Sequence, residues 1–170
     1  MAVPKRIGES LASRLRSRST NHPAILAIAL LVALVGVAGA ADLRVVQVID
    51  GDTFTGLDAK NRQVRVRLHG IDAPEAKQAF GTVSRKALSD LIGGKIVSVV
   101  EVDRDSYGRT VGRVTIGNKL VNAEMVRSGL AWRYVFHDKR NEFGALENEA
   151  RRQRRGLWKD ANPVPPWNYR

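Results

Sequence analysis

The apolar periodicity of the chain changes at Pro74, and no other feature constrains its fold as strongly. From Gln63 to Ile71 the side chains alternate, with Val64, Val66 and Leu68 on one face and Arg65, Arg67 and His69 on the other. A half-buried strand has this pattern. Beyond Pro74, Phe80, Val83, Ala87, Leu88 and Leu91 recur at helical spacing until Gly93-Gly94, which stops a helix. Before the alternating stretch, Leu43 to Ile49 is short and β-branched, and Thr53 to Leu57 returns after the hairpin signal Asp50-Gly51. After the helix, Lys95 to Val102 and Thr110 to Ile116 have strand character on either side of a turn over Asp105 to Gly108. Asn122 is positioned to cap a short helix through Ser128, which Gly129 ends. A last helix is expected from about Asn141 to Arg155, followed by a Pro-rich tail over 161–170 that is extended from Pro163 to Trp167 and pinned by Trp167.

Three strands, a helix, two strands and two helices predict a mainly β, α+β domain. Strands this short and closely connected, with a helix after the third, fit a five-stranded closed barrel of the OB-fold type with three helices. There is no internal repeat.

An N-terminal hydrophobic helix precedes this domain in the expected organisation. Residues 1–23 form a basic polar leader with Lys5, Arg6, Arg14, Arg16 and Arg18 against Glu9. Residues 24–41 carry no charge and close on Ala38-Gly39-Ala40-Ala41. The segment reads either as a signal peptide cleaved near Ala40 or as a transmembrane anchor. Both readings send the rest of the chain across the membrane, so an extracytoplasmic location is expected, secreted or membrane-anchored. The barrel domain is assigned to 42–160. From Asp42 onward there are 23 Lys and Arg against 16 Asp and Glu, a net +7, which favours a polyanionic partner. The absence of cysteine excludes disulfides, thiolate metal sites and cysteine nucleophiles.

Two acidic clusters, Asp50-Gly51-Asp52-Thr53 and Ile71-Asp72-Ala73-Pro74-Glu75, sit where strands run out into loops. Asp52 and Asp72 are hard oxygen ligands of the kind Ca²⁺ or Mg²⁺ accepts. Glu75 leaves its strand just after Pro74, where a carboxylate can hold or deprotonate water. Arg67 lies on the strand leading into the second cluster, and Arg109 closes the turn Asp105-Ser106-Tyr107-Gly108-Arg109. Acids and guanidiniums at strand ends suit a divalent cation and a phosphate oxyanion side by side, the equipment of a metal-dependent phosphodiesterase. The sequence contains no EF-hand loop, phosphate-binding GxxxxGK[ST] loop or His-Glu-x-x-His zinc motif. Structural readings are preferred for His69, Trp132 and Trp158. The run Arg151 to Arg155 is read first as a solvated helix end.

In order and spacing, these stretches resemble the staphylococcal nuclease (thermonuclease) family from Val45 to Trp158. Val48 to Thr53, Val66 to Glu75, Asp105 to Arg109, Leu120-Val121-Asn122, Gly129-Leu130-Ala131 and Arg155 to Trp158 carry the likeness. The resemblance implies a Ca²⁺-dependent, sugar-nonspecific nuclease acting on DNA and RNA, preferably single-stranded or frayed, that cuts at the 5′ oxygen and leaves 3′-phosphates. It implies metal binding by Asp52, Asp72 and the backbone carbonyl of Ala73, catalysis by Arg67, Glu75 and Arg109, and substrate contacts by Tyr107 and Tyr134. Phe136 stands where a second tyrosine is common in the family. Mg²⁺ and Mn²⁺ fit the same oxygen ligands. A catalytically inactive OB-fold module that binds nucleic acid is the alternative, and it would require loss of at least one of the five acids and arginines. An envelope protein binding anionic lipid would leave the acidic clusters unexplained. A monomer is expected.

Overall fold

The computed structural model describes residues 39–170. The basic leader and all but the last three residues of the charge-free segment 24–41 lie outside the described residues, and Ala41 already opens the first strand. Among the described residues, no helix is long and apolar enough to cross a membrane.

Strands β1 (Ala41–Val48), β2 (Thr53–Leu57) and β3 (Gln63–Leu68) form an antiparallel meander. After the two-residue strand β4 (Ile71–Asp72) comes helix α1 (Gly81–Ile92), then β5 (Ile96–Arg104) and β6 (Thr110–Ile116). β5 pairs with β1 and β6 with β5, both antiparallel. β6 then lies parallel to β3, with Val66 opposite Thr110, Arg67 opposite Val111 and Leu68 opposite Gly112. That pairing closes the five-stranded barrel expected from the sequence. The barrel interior holds Leu43, Val45, Phe54, Val66, Leu68, Val97, Val99 and Val114, with Leu88 and Ile92 of α1 packed against them. Each such side chain contributes roughly 1.5–3 kcal/mol through burial.

β7 (Lys119–Leu120) leads into α2 (Val121–Arg127), and β8 (Trp132–Arg133) pairs with β4. α3 (Gly144–Arg152) and a 3₁₀ turn over Gly156–Lys159 complete the domain. A second apolar cluster of Trp132, Ala150, Leu157 and Trp158 lies beneath them. Trp132 and Trp158 are therefore packing aromatics, as expected. Two members of the arginine run are structural as well. Arg151 lies 3.7 Å above the Trp158 ring, and Arg155 Nη1 donates to the Arg127 carbonyl at the end of α2.

Three local expectations need correction. Asn122 does not cap α2: Leu120 precedes the helix, and Asn122 lies inside it, fully buried. Its Oδ1 accepts the Val114 N–H at 3.0 Å, and its Nδ2 donates to the carbonyls of His69 (2.9 Å) and Gly112 (3.2 Å). The residue ties α2 to β6 and to the end of β3. Asn122→Ala would take its partner from the Val114 N–H and the His69 carbonyl, while the Gly112 carbonyl keeps the His69 N–H, so a loss of about 3 kcal/mol is expected. Urea unfolding of wild type and variant checks this, and an unchanged midpoint would show that the network carries no stability.

The last helix begins at Gly144 rather than Asn141 because Asn141 is left-handed (φ 54°) and the Asp138 carboxylate takes the N–H groups of Glu142 and Phe143. It ends at Arg152 because Arg154 is also left-handed (φ 48°). The tail is extended only through Pro165. Pro166–Tyr169 then makes one helical turn, α4, with proline at its start, where the missing N–H costs nothing.

Candidate active site

Each acidic loop is held by a close backbone approach that only glycine permits. In the β1–β2 turn the N–H groups of Ile49 and Asp50 both donate to the Thr53 carbonyl. Gly51 lies against α1 so closely that a Cβ there would sit 1.8 Å from the Ser84 hydroxyl. That hydroxyl is fixed by donation to the Leu130 carbonyl at 2.6 Å. The turn is thereby pressed onto the helix, and Asp52 points inward and is buried. After β4 the loop carrying Glu75 is pinned by Gln78, whose side-chain oxygen accepts the Glu75 N–H and whose own N–H donates to the Glu75 carbonyl. Gly81 completes the grip, since a Cβ there would lie 1.9 Å from the same carbonyl.

Arg67 joins the two acidic clusters. Its Nη1 donates to Asp52 Oδ1 at 2.8 Å and its Nη2 to Asp72 Oδ1 at 2.8 Å. Asp52 also accepts from the Thr53 hydroxyl and the Ala73 N–H, each at 2.8 Å. Burial alone would lower the Arg67 pKa, but the charges of Asp52 and Asp72 outweigh it and hold the guanidinium above its ordinary value. Asp50, whose Oδ1 accepts the Asp52 N–H, is pushed up to about 7 by burial and then by the neighbouring Asp52 charge.

Arg109 is organised separately. Asp105 Oδ1 accepts the backbone N–H groups of Tyr107 and Arg109, and Asp105 Oδ2 accepts Arg109 Nε at 2.6 Å. Burial would raise the Asp105 carboxyl, but these hydrogen bonds win and hold it below the usual range. The guanidinium lies 5.5 Å from the ring centre of Tyr107, itself 84 % exposed. Tyr134 reaches the site through the β4–β8 pair, with its N–H on the Gly70 carbonyl at 2.9 Å.

These segments meet at one cleft of about 420 Å³. Asp52, Arg67, Ala73, Glu75, Tyr107, Arg109 and Tyr134 all lie on its wall. Asp72 stands behind that wall with no exposed side-chain surface, covered by Arg67 and Arg170. His69 is not on the wall. Burial, then the nearby His137 ring, pushes its imidazole below the ordinary value, and its buried Nδ1 has no partner. Sequence reasoning gave no role to four charged or polar groups on the wall: Asp50, Asp105, His137 and Arg170. A second acid two residues before Asp52 on a tight turn could have identified Asp50. His137 stacks on Tyr134 with ring centres 5.0 Å apart, and Arg170 donates to Asp72 Oδ2 at 2.6 Å and to Glu75 Oε1 at 2.7 Å.

The donor chemistry fits a hard divalent cation. Asp52, Asp72 and Glu75 offer oxygen only, and each of them already faces a positive group, Arg67 or Arg170. Among the described residues, three such side chains do not converge on a ready-made metal centre, because the guanidiniums stand between them. The Ala73 contact in the structure is its N–H on Asp52 Oδ2.

A family model described as staphylococcal nuclease homologue matches residues 65–160. The chain is 48% identical over 128 residues to an uncharacterized endonuclease of Escherichia coli, covering 75% of this chain and 83% of that protein. It is 44% identical over 156 residues to a micrococcal nuclease of Shigella flexneri, covering 84% and 88% respectively. A staphylococcal-like nuclease of Arabidopsis thaliana is 41% identical over 118 residues, 69% of this chain and 36% of that longer protein.

Proposed function

The chain belongs to the staphylococcal nuclease family, and from that membership and the geometry of the cleft we propose that it is a metal-dependent endonuclease hydrolysing phosphodiester bonds of DNA and RNA. One observation carries the reading. Acids and arginines from the β1–β2 turn, strand β3, the loop after β4 and the β5–β6 turn line a single cleft in a basic domain.

Asp52 and Asp72, with the Ala73 carbonyl, would hold the cation, with Ca²⁺ the family's expected ion and Mg²⁺ or Mn²⁺ compatible with the same oxygens. When bound, the cation supplies charge withdrawal from a phosphate oxygen and a more acidic water. The chain's own groups account for the remaining steps. Glu75, held in place by Gln78, receives the proton of the attacking water or fixes that water by hydrogen bond. Water oxygen bonds to phosphorus as the bond to the 5′ oxygen breaks; that oxygen takes a proton from a solvent water and leaves as a hydroxyl, and Glu75 returns the proton it received to solvent. The products are a 3′-phosphate and a 5′-hydroxyl. Arg67 and Arg109 face the non-bridging oxygens, whose charge grows as phosphorus becomes pentacoordinate. A planar fork that never loses its proton matches that growth better than a lysine ammonium. Tyr107 and Tyr134 offer rings for stacking on the flanking bases, which suits unpaired strands.

The test uses the full chain with plasmid DNA and with single-stranded RNA, with Ca²⁺, Mg²⁺ or Mn²⁺ and with excess chelator. Cleavage that requires a divalent ion and leaves 3′-phosphate ends is expected. Cleavage undiminished by chelator would overturn the cation reading, and no cleavage under any ion would leave the inactive binding module as the better account. The charge-free run over 24–41 behind a basic leader supports export of the domain, secreted or anchored. Fractionation of expressing cells checks this, and recovery of the full-length chain from the cytosol alone would reject it.

A further inference from the structure

The polypeptide after α3 comes back to the cleft and brings Arg170 onto its wall. Residues 163–170 cross the loop that carries Glu75. Gln78 Nε2 donates to the Val164 carbonyl at 2.5 Å, and the Tyr169 hydroxyl donates to the Lys77 carbonyl at 3.2 Å. Trp167 packs against Trp132 with ring centres 5.7 Å apart and against Tyr134 at 5.6 Å. These contacts bring Arg170 onto the acids. Its Nη2 donates to Asp72 Oδ2 and its Nη1 to Glu75 Oε1. Arg67 has already taken the other oxygen of Asp72, so Arg170 completes the neutralisation of that carboxylate.

We propose that residues 163–170 are a built-in plug, in which Arg170 acts as a surrogate cation on Asp72 and Glu75 and is displaced when a divalent ion binds. The inference rests on the cation reading above. Arg170 reaches both oxygens of Asp72, Oδ2 at 2.6 Å and Oδ1 at 3.4 Å, and its positive charge opposes a cation bound to the same carboxylate. The arm also stands over the base-binding wall, because the Trp167 indole lies against the Tyr134 ring that would receive a nucleobase. One short segment thus covers the positions of both cation and base. Arg170 keeps 44 % of its side chain exposed while Asp72 keeps none, so the arginine has solvent to swing into when a doubly charged ion takes its place on the acid.

Calorimetric titration of Ca²⁺ into the full chain, without nucleic acid, tests the plug. Arg170→Ala is expected to bind Ca²⁺ about tenfold more tightly than wild type, and Arg170→Lys to fall between them. Tryptophan emission of the wild-type protein should change on Ca²⁺ saturation, and this change should be lost in Trp167→Phe. Equal or weaker Ca²⁺ binding by Arg170→Ala overturns the plug alone. No binding heat from any of the three proteins overturns it together with the cation reading. Should the alanine variant fail to fold, Arg170→Lys carries the same test, and an affinity equal to wild type would reject the proposal.

Discussion

Arg109→Ala is expected to slow phosphodiester cleavage by about 10³-fold while leaving the protein folded, a magnitude set by the loss of one preorganised donor to a developing oxyanion. The loss should fall on kcat. A guanidinium facing a phosphate gains most as phosphorus acquires its fifth oxygen, so its removal destabilises the transition state more than the bound substrate. Folding should be nearly untouched because the ties of Arg109 are local, to Asp105 four residues away and to the exposed Tyr107 ring. Without the guanidinium, Asp105 keeps the backbone N–H of Tyr107. Glu75→Gln belongs with this variant, with an expected loss of about 10²–10⁴ for a missing proton acceptor. Steady-state kinetics beside thermal melts decide the matter. A rise in KM at constant kcat would reduce Arg109 to a substrate-binding residue.

Arg67→Ala should fail in a different way. Its guanidinium bridges Asp52 and Asp72, both buried. Removing it leaves two carboxylates in low dielectric, with only Arg170 remaining on one of them. A stability loss of about 3 kcal/mol is expected on top of the catalytic loss, because breaking a buried pair from one side strands the other charge. Arg67→Lys is the informative control. An ammonium restores a positive charge but cannot present two parallel donors to two acids, so most stability and little activity should return. Urea melts and cleavage rates on the three proteins separate the effects. If Arg67→Ala unfolded at the wild-type denaturant concentration, the bridge would have no structural role.

Both arginines are visible in the chain at strand ends, yet only coordinates show that Arg67 bridges two distant acids while Arg109 is held by Asp105 four residues away. The difference lies in which acids meet them, and contacts between segments are not written in local periodicity. The barrel was far more legible. Val64, Val66 and Leu68 alternate against Arg65 and Arg67, the turns are marked by Asp-Gly and Gly-Asn pairs, and the period changes only where α1 begins. The candidate acids were legible for the same reason, because each sits at the residue where an alternating run gives out. Asn122 was misassigned because an amide suits a helix cap and a buried bridge equally well. The start of α3 was misjudged because asparagine suits both a helix start and the left-handed region, and Asn141 takes the second. The β4–β8 pair is two residues long on each side, too short for any period to register. Arg170 meets Glu75 across 95 positions of sequence, and no local signal marks such a contact.

The parallel pairing of β3 with β6 has a consequence for when this protein becomes able to cut. Arg67 and the strand that follows Arg109 become neighbours only through that ladder; the chain between them runs through a helix and a long strand that bring them no nearer. On the phosphate-binding roles proposed for Arg67 and Arg109, an incompletely folded chain would lack one side of the grip on a phosphate, whatever its local turns have formed. Recovery of cleavage after dilution from denaturant would then time a single event, the seam of the barrel coming shut, and a newly made chain would stay harmless to nucleic acid until that seam had formed.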